Sequence, residues 1–167
     1  MTAYKFLEAN GTGVFSGFAW PLPTGGPGHW VEAKVALCRS GIHACRAEDL
    51  SYWLAPALYD IELDGDIELA GMKVIAPRGR LVRHIQAWND ETREDYSQMC
   101  IARAGEIAAS APELVGPWAP PPAASAGGPA LMGFMAARMA EAISGIDAYV
   151  AERARQSAWL TERLGLA

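Results

Sequence analysis

Two of the three cysteines and one of the three histidines lie close together in the N-terminal half, and thiol and imidazole groups can bind metals or act in catalysis. Cys38, His43 and Cys45 belong to the run Leu-Cys-Arg-Ser-Gly-Ile-His-Ala-Cys at 37–45. Structural zinc sites usually have cysteines separated by about two to four residues, and the spacing here is irregular. A fourth ligand would have to be Cys100, His29 or His84. We therefore expect no metal, and we expect the cysteines to be small core residues.

The same segment allows a second chemistry, that of a cysteine-nucleophile enzyme. Cys45 precedes a predicted helix, and a helix N-terminus favours the thiolate. On a strand, His43 and Cys45 point to the same face, so His43 could serve as the base, with His84 as the alternative. The residues around them carry no local signature of a cysteine hydrolase. A cysteine enzyme is therefore kept as an alternative.

The elements that would position these residues form a β-rich part at 1–88. A single helix is predicted at 47–54, where Glu48 and Asp49 suit the positive end of the helix dipole and Pro56 stops the helix. Leu58–Leu63 alternates apolar and acidic residues, which is typical of a strand with one face in water. Asp64-Gly65-Asp66 predicts a hairpin turn. The predicted strands are 3–7, 14–20, 30–37, 41–45, 58–63, 67–76 and 79–88.

After Trp88 the pattern becomes helical. A helix is predicted at 89–111, capped by Asn89 or Asp90, and the proline-rich, alanine-rich segment 112–129 predicts a stiff linker. Residues 130–167 predict one long amphipathic helix with a methionine-containing apolar stripe, which either packs back on the chain or pairs with a second copy in a homodimer. The predicted fold class is α+β, with a small mixed or antiparallel β-rich domain carrying one helix, followed by a helical C-terminal region.

Composition and charge exclude several classes of function. The chain has 167 residues, of which 51% are hydrophobic and 20% charged, values of an ordinary globular protein. Its net charge of −5 argues against nucleic-acid binding, which needs clustered basic residues. No apolar run is long enough for a membrane span or a signal peptide. We therefore expect a cytoplasmic protein with reduced thiols and no membrane association.

The N-terminal half contains Tyr4-Lys5, the Leu-Cys-x-x-Gly-x-His-Ala-Cys motif at 37–45, the acidic-alternating strand at 58–65 and Lys73. With these residues it resembles a family of uncharacterised bacterial and phage proteins. The resemblance covers residues 1–88, about half of the chain. It implies a bacterial, phage or mobile-element origin and carries no established activity. The C-terminal half departs from the family, whose members often carry alanine-rich and glycine-rich repeats there.

The order of strands and helix is also similar to that of small bacterial ADP-ribosyltransferases. By that resemblance, Tyr4, His43 and Tyr52 would line a nicotinamide pocket for NAD, and Glu62 or Asp60 would polarise the acceptor. The early strand differs, because such enzymes place His or Arg before Gly-Thr where this chain has Tyr4-Lys5-Phe6. Similarity of layout alone does not establish function.

A glycine-rich and proline-rich loop at 21–29, flanked by Trp20 and Trp30, is the best candidate for a binding loop. The candidate binding residues are Tyr4, Trp20, His29 and Trp30, and the candidate catalytic residues are His43, Cys45 and Tyr52. The leading hypothesis is an interaction module without a cofactor, whose ligand is another protein or a small molecule. An ADP-ribosyltransferase-like enzyme and a cysteine-nucleophile enzyme are the alternatives.

Overall fold

β-Strands fill the N-terminal half of the chain and α-helices fill the C-terminal half. The computed structural model describes residues 3–34, 41–115, 117, 119 and 128–166. The strands are β1 Ala3–Leu7, β2 Val31–Glu32, β3 Ile42–Ala44, β4 Ala57–Asp64, β5 Glu68–Ala70, β6 Lys73–Ala76 and β7 Arg78–His84. A short 3₁₀ helix spans Ala47–Tyr52, and the α-helices are α1 Asp90–Ser110, α2 Pro112–Val115, α3 Gly128–Ser144 and α4 Ile146–Leu164. The predicted α+β class is confirmed.

The strands form two antiparallel sheets. The first has the order β1-β4-β7-β2 and the second the order β3-β6-β5. A bridge between Tyr4 and Cys45 joins the two, with both backbone hydrogen bonds at 2.8 Å. The end of β3 is thereby fixed against β1, so the strand that carries His43 lies beside the first strand of the other sheet.

Strand β1 separates two apolar cores, which explains why it is apolar at nearly every position. Ala3 and Leu7 pack into the cluster between the two sheets, with Trp20, Tyr59 and Leu81. Tyr4 and Phe6 point the other way and join the cluster that the helices cover, with residues such as Leu58, Trp88, Tyr96 and Leu160. Because successive side chains of a strand face opposite sides, one short strand contributes to both cores.

Several predicted strands of the β half were wrong in extent. Segment 14–20 contains a turn at 14–16 in place of the strand, and Ala19 forms only an isolated bridge with Thr12. The strand predicted at 30–37 is limited to β2, with 35–40 outside the described residues. The segment 67–76 contains two strands, β5 and β6, which turn at Gly71-Met72. The hairpin predicted at Asp64-Gly65-Asp66 is not formed, because β4 and β5 belong to different sheets.

The first α-helix was predicted correctly. Asn89 caps it by accepting a hydrogen bond from the Thr92 backbone N–H at 3.0 Å. An Asn side chain at this position satisfies a donor that the helix cannot pair internally. The helix ends at Ser110, one residue before the predicted boundary, and Pro112–Val115 adds a further helical turn inside the predicted linker.

The long helix predicted at 130–167 was wrong, because the chain breaks at Gly145 into α3 and α4. Gly145 has φ 85° and ψ −178°, a conformation that only glycine adopts readily. The break lets both helices pack within the chain. Met132 and Ala136 of α3 and Leu160 and Leu164 of α4 enter the core shared with β1 and α1. Part of the apolar stripe is therefore covered by this chain itself, while Ile146 and Val150 of α4 stay exposed.

A buried polar network holds the helices together. The Gln156 side chain is fully buried, and its Oε1 accepts hydrogen bonds from the Tyr96 hydroxyl at 3.0 Å and from Arg153 Nη1 at 3.1 Å. Its Nε2 donates to the Gly133 carbonyl at 3.0 Å. The Ser51 hydroxyl donates to the Arg153 carbonyl at 3.0 Å, which ties the 3₁₀ helix to α4. Within the described part of the chain, no helix is long and apolar enough to cross a membrane.

Candidate functional site

The structure buries the thiol of Cys45, the residue predicted as a nucleophile. Its side chain is 2% exposed, and Sγ donates to the Tyr4 carbonyl at 3.5 Å. Burial, followed by the charge of Asp49, raises the pKa of the Cys45 thiol to about 12, so the thiolate is absent at neutral pH. Burial likewise raises the pKa of the Cys100 thiol to about 12. Both residues pack as small core side chains, and Cys38 lies outside the described residues.

Among the described residues, His43 makes no hydrogen bond with Cys45, whose Sγ donates to the Tyr4 carbonyl instead. Its neighbours Ile42 and Ala44 pack between the sheets, while His43 itself is half-buried. Burial, followed by the charges of Lys73 and Lys5, lowers its pKa. Among the described residues its Nε2 is buried and has no hydrogen-bond partner. Those residues also contain no group of three or more His, Cys, Asp or Glu side chains able to hold a metal.

The residues assigned to a nicotinamide pocket lie in different surroundings. Tyr4 is 2% exposed in the core beneath the helices. Tyr52 packs on α4, with the Arg153 guanidinium 4.8 Å from its ring centre and the Tyr149 ring centre at 6.5 Å. The proposed acceptor-polarising carboxylates are engaged in ion pairs across the sheet, Asp60 with Arg83 and Glu62 with Arg80, each at 2.7 Å. The structure therefore gives no assembled pocket from these residues.

Lys5 is a half-buried cation on the inner side of β1. Its Nζ donates to the His43 carbonyl at 2.6 Å and lies 4.7 Å from the centre of the Trp20 ring. Within the described part of the chain, no carboxylate lies within ion-pair distance of it. Burial lowers the pKa of the Lys5 amine to about 8. Trp20, predicted as a binding residue, is 8% exposed and serves here as packing for Lys5 and for the core.

The predicted binding loop at 21–29 is fixed rather than open. Gly28 donates its N–H to the Leu81 carbonyl at 2.8 Å, which fastens the loop to β7. A Cβ at Gly28 would collide with the Pro21 carbonyl oxygen, so the two ends of the loop touch only because residue 28 is glycine. His29 is exposed next to this anchor point. Trp30 is half-buried and stacks on two guanidiniums, those of Arg78 and Arg80, at 4.8 and 4.7 Å.

Trp30 covers a ladder of ion pairs between β4 and β7. Three acidic residues of β4 face three arginines of β7, the pairs being Asp60–Arg83, Glu62–Arg80 and Asp64–Arg78. Cross-strand pairs of opposite charge stabilise a sheet modestly and fix its register. The alternating carboxylates of Leu58–Leu63 thus lie on a polar face, as predicted. Their charges are neutralised within the sheet.

An exposed aromatic turn lies before the predicted loop. Phe15 is 88% exposed, the highest value among the exposed large apolar side chains described. Val14, Phe18 and Leu22 are exposed beside it in the sequence, at 40–46%. We call residues 12–22 the aromatic turn; it includes the first two residues of the predicted loop at 21–29. Isolated apolar residues at a surface are ordinary, but several on one short segment suggest an interaction site.

Hydrogen bonds define the conformation of the aromatic turn. Gly13 and Phe18 are joined by a backbone bond from Gly13 N–H to the Phe18 carbonyl at 2.9 Å, and Gly17 N–H donates to the Gly13 carbonyl at 2.8 Å. The Ser16 hydroxyl oxygen accepts from Phe18 N–H at 3.2 Å. The Phe18 ring packs edge-on against Trp20, with the ring centres 5.7 Å apart. Phe15 is therefore presented on an ordered turn that is anchored to the core through Trp20.

The aromatic composition of 14–20 predicted a strand, so the aromatic turn was missed. The sequence does contain a signal for a turn, because Phe15 lies between Gly13 and Gly17. In the structure Gly17 adopts φ 64°. Two glycines four residues apart around a serine are typical of a turn. An aromatic residue inside such a turn has no core face to occupy.

Comparison of the chain with protein-family models, with curated proteins and with solved structures gives no significant match. The resemblance of residues 1–88 to uncharacterised bacterial and phage proteins therefore stays a prediction. So does the resemblance in layout to ADP-ribosyltransferases.

Proposed function

We propose that this protein is an interaction module that docks on a partner protein through the aromatic turn. The observation that carries the proposal is the exposure of Phe15, at 88%, on a turn held by backbone hydrogen bonds. Aromatic side chains that fill a pocket on the partner provide much of the binding energy in protein interfaces. A fixed turn avoids the entropic cost of ordering a loop on binding.

The contact area favours a modest interface. Burying the Phe15 side chain contributes roughly 1.5–3 kcal/mol, and Val14 and Phe18 add to it. These side chains are few, so we expect an area toward the lower end of specific complexes, which corresponds to a reversible association. The partner should offer an apolar pocket large enough for one phenyl ring, with smaller apolar residues around it.

The charge of the chain supports a protein partner over a lipid surface or a nucleic acid. At a net charge of −5, the chain is repelled by anionic membranes and by phosphate backbones. The thiols of Cys45 and Cys100 are buried and protonated, which leaves the cysteine-enzyme alternative without support from these two residues.

The test is position-resolved photo-crosslinking in cells that carry the native gene. A benzophenone amino acid is placed at position 15, or at position 134 as the matched control, because Phe134 is also an exposed phenylalanine, at 45% on α3. We expect one discrete adduct from position 15 that unlabelled wild-type protein competes away, and none from position 134. Equal adducts from both positions, or adducts to lipid only, would overturn the proposal.

A further inference from the structure

The three longer helices leave a cleft on the side of the molecule formed by α1, α3 and α4. Its volume is about 320 Å³, which falls at the lower end of the range for small-molecule sites. Half of its lining residues are apolar, namely Ile107, Ala140, Ile143, Ala148 and Ala151. We call it the three-helix cleft.

A buried carboxylate lies at the base of the three-helix cleft, between two arginines. Glu152 is 4% exposed, and Arg155 holds both its oxygens, Nε to Oε2 at 3.1 Å and Nη2 to Oε1 at 2.7 Å. Arg103 Nε donates to Oε2 at 3.2 Å. Burial alone would raise the pKa of Glu152, but the hydrogen bonds and charge of Arg155 outweigh it and hold the pKa below its usual value. Glu152 is therefore ionised, and the cleft lining carries two positive charges against one negative.

Both arginines retain hydrogen-bonding capacity. Among the described residues, Arg155 Nη1 and Arg103 Nη2 have no hydrogen-bond partner, while Arg103 Nη1 donates to Glu106 at 2.8 Å. Glu106 is 66% exposed, and ion pairs of that kind are weak. Arg103 Nε and Arg155 Nε both donate to Glu152 Oε2, at 3.2 and 3.1 Å, so the two guanidiniums lie close enough for one oxyanion that replaces Glu106 to contact both. Glu152 meanwhile keeps both guanidiniums in place.

We propose that the three-helix cleft binds a small organic anion, with its carboxylate or phosphate bonded to Arg103 Nη2 and Arg155 Nη1 and a short apolar body against Ile107 and Ile143. The planar guanidinium fork suits both kinds of oxyanion. The apolar walls require a hydrocarbon part of a few carbons, which distinguishes this ligand from free phosphate. The site is separate from the aromatic turn and does not depend on the function proposed for it.

The test uses hexanoate, hexyl phosphate, inorganic phosphate and neutral hexanamide as probes, followed by the amide NMR signals of Ala148 and Ala151. We expect saturable shifts with hexanoate or hexyl phosphate and much weaker binding of hexanamide and inorganic phosphate. Whichever of the two anions binds more tightly identifies the head group. Equal binding of hexanoate and hexanamide would overturn the proposal.

Two variants should change the affinity for hexanoate in opposite directions. Arg103→Gln should weaken hexanoate roughly tenfold through the loss of a charge-assisted hydrogen bond. Glu106→Gln should strengthen it roughly twofold to fivefold, because the competing carboxylate is gone. If both variants weakened or both strengthened hexanoate binding, the assignment of Arg103 as an anion ligand would be contradicted.

If Arg103→Gln disturbs folding, two tryptophan variants provide an independent test of the cleft. Ala151→Trp fills the cleft from an exposed position on α4, whereas Ala154→Trp places the same side chain in a different groove, which Ala47 and Ala158 also line. Only Ala151→Trp should abolish the shifts. Phe15→Ser should leave them unchanged, which separates this site from the aromatic turn.

Discussion

At the scale of single residues, burial decides which of the reactive groups can act. Cys45 and His43 have the residue types of a catalytic pair, with His43 on β3 and Cys45 directly after that strand. The thiol nevertheless lies against the Tyr4 carbonyl inside the core, where its charged form is strongly disfavoured. Spacing along a strand shows which face a side chain is on, but not whether that face is covered.

The burial of the thiols predicts their reactivity. In a Cys38→Ser variant, which retains only Cys45 and Cys100, neither thiol should react with a disulfide reagent in native buffer, because both pKa values are about 12. Both should react at once in denaturant. The measurement is absorbance of the released thiolate over time. Rapid labelling of Cys45 in the folded protein would contradict the assignment to the core.

Lys5 predicts a dependence of stability on pH. Its pKa is about 8 in the folded chain, against 10.5 for an unperturbed lysine, so between these values the unfolded chain binds more protons than the folded one. The contribution of Lys5 to stability therefore rises with pH across this window. The penalty for burying its charge is present in full below the window and absent above it.

The matching measurement compares Lys5→Met with the wild type by chemical denaturation at several pH values. The unfolding free energy of the wild type should increase relative to that of Lys5→Met as the pH rises from about 8 to about 10.5. A difference that stays constant over this range would show that Lys5 has its ordinary pKa when folded.

At the scale of elements, local sequence patterns predicted some strands and helices correctly. They failed where contacts between distant residues determine the structure. The alternation in Leu58–Leu63 and the cap at Asn89 are local signals, and both elements formed. The division of β4 and β5 between two sheets depends on pairing with β7 and β6, which no local pattern encodes. The helix break was missed because the apolar stripe continues on both sides of Gly145, and a single glycine in a helical pattern is often tolerated.

The backbone conformation of Gly145 leads us to expect that even a substitution by alanine lowers the stability of the fold. Gly145→Ala should lower the unfolding free energy by roughly 1–3 kcal/mol, because alanine is strained at this backbone conformation. Ser144→Ala, at the exposed neighbouring position, is the control and should change it by less than about 0.5 kcal/mol. Thermal denaturation followed by circular dichroism measures both. A Gly145→Ala protein as stable as the wild type would indicate a continuous helix.

At the scale of the whole molecule, the sheet and the helices share a core. Tyr4 and Phe6 of β1 lie in one cluster with Tyr96 of α1 and Leu160 of α4. Gln156 connects α4 to α1 and α3 within that arrangement. We therefore expect the β-rich and helical parts to unfold together, although the sequence divides near residue 88.

A substitution at Gln156 tests this coupling. Gln156→Met should cost about 3 kcal/mol, since it removes the buried hydrogen bonds that Gln156 makes with the Tyr96 hydroxyl, Arg153 Nη1 and the Gly133 carbonyl. Gln98→Met, at an exposed position of α1, is the control and should leave the unfolding free energy nearly unchanged. Tryptophan fluorescence and helical circular dichroism should give the same midpoint for each protein. Separate midpoints would show that the two parts fold independently.

The proposed function depends most directly on the contribution of Phe15 to partner binding. The deciding measurement is calorimetric titration of the partner identified by cross-linking against the wild type, Phe15→Ser and Phe134→Ser. We predict that Phe15→Ser weakens binding roughly 30-fold, about 2 kcal/mol, while Phe134→Ser leaves the affinity unchanged. Phe15 is too exposed for its removal to disturb the fold. An unchanged affinity for Phe15→Ser would contradict the assignment of the aromatic turn as the docking surface.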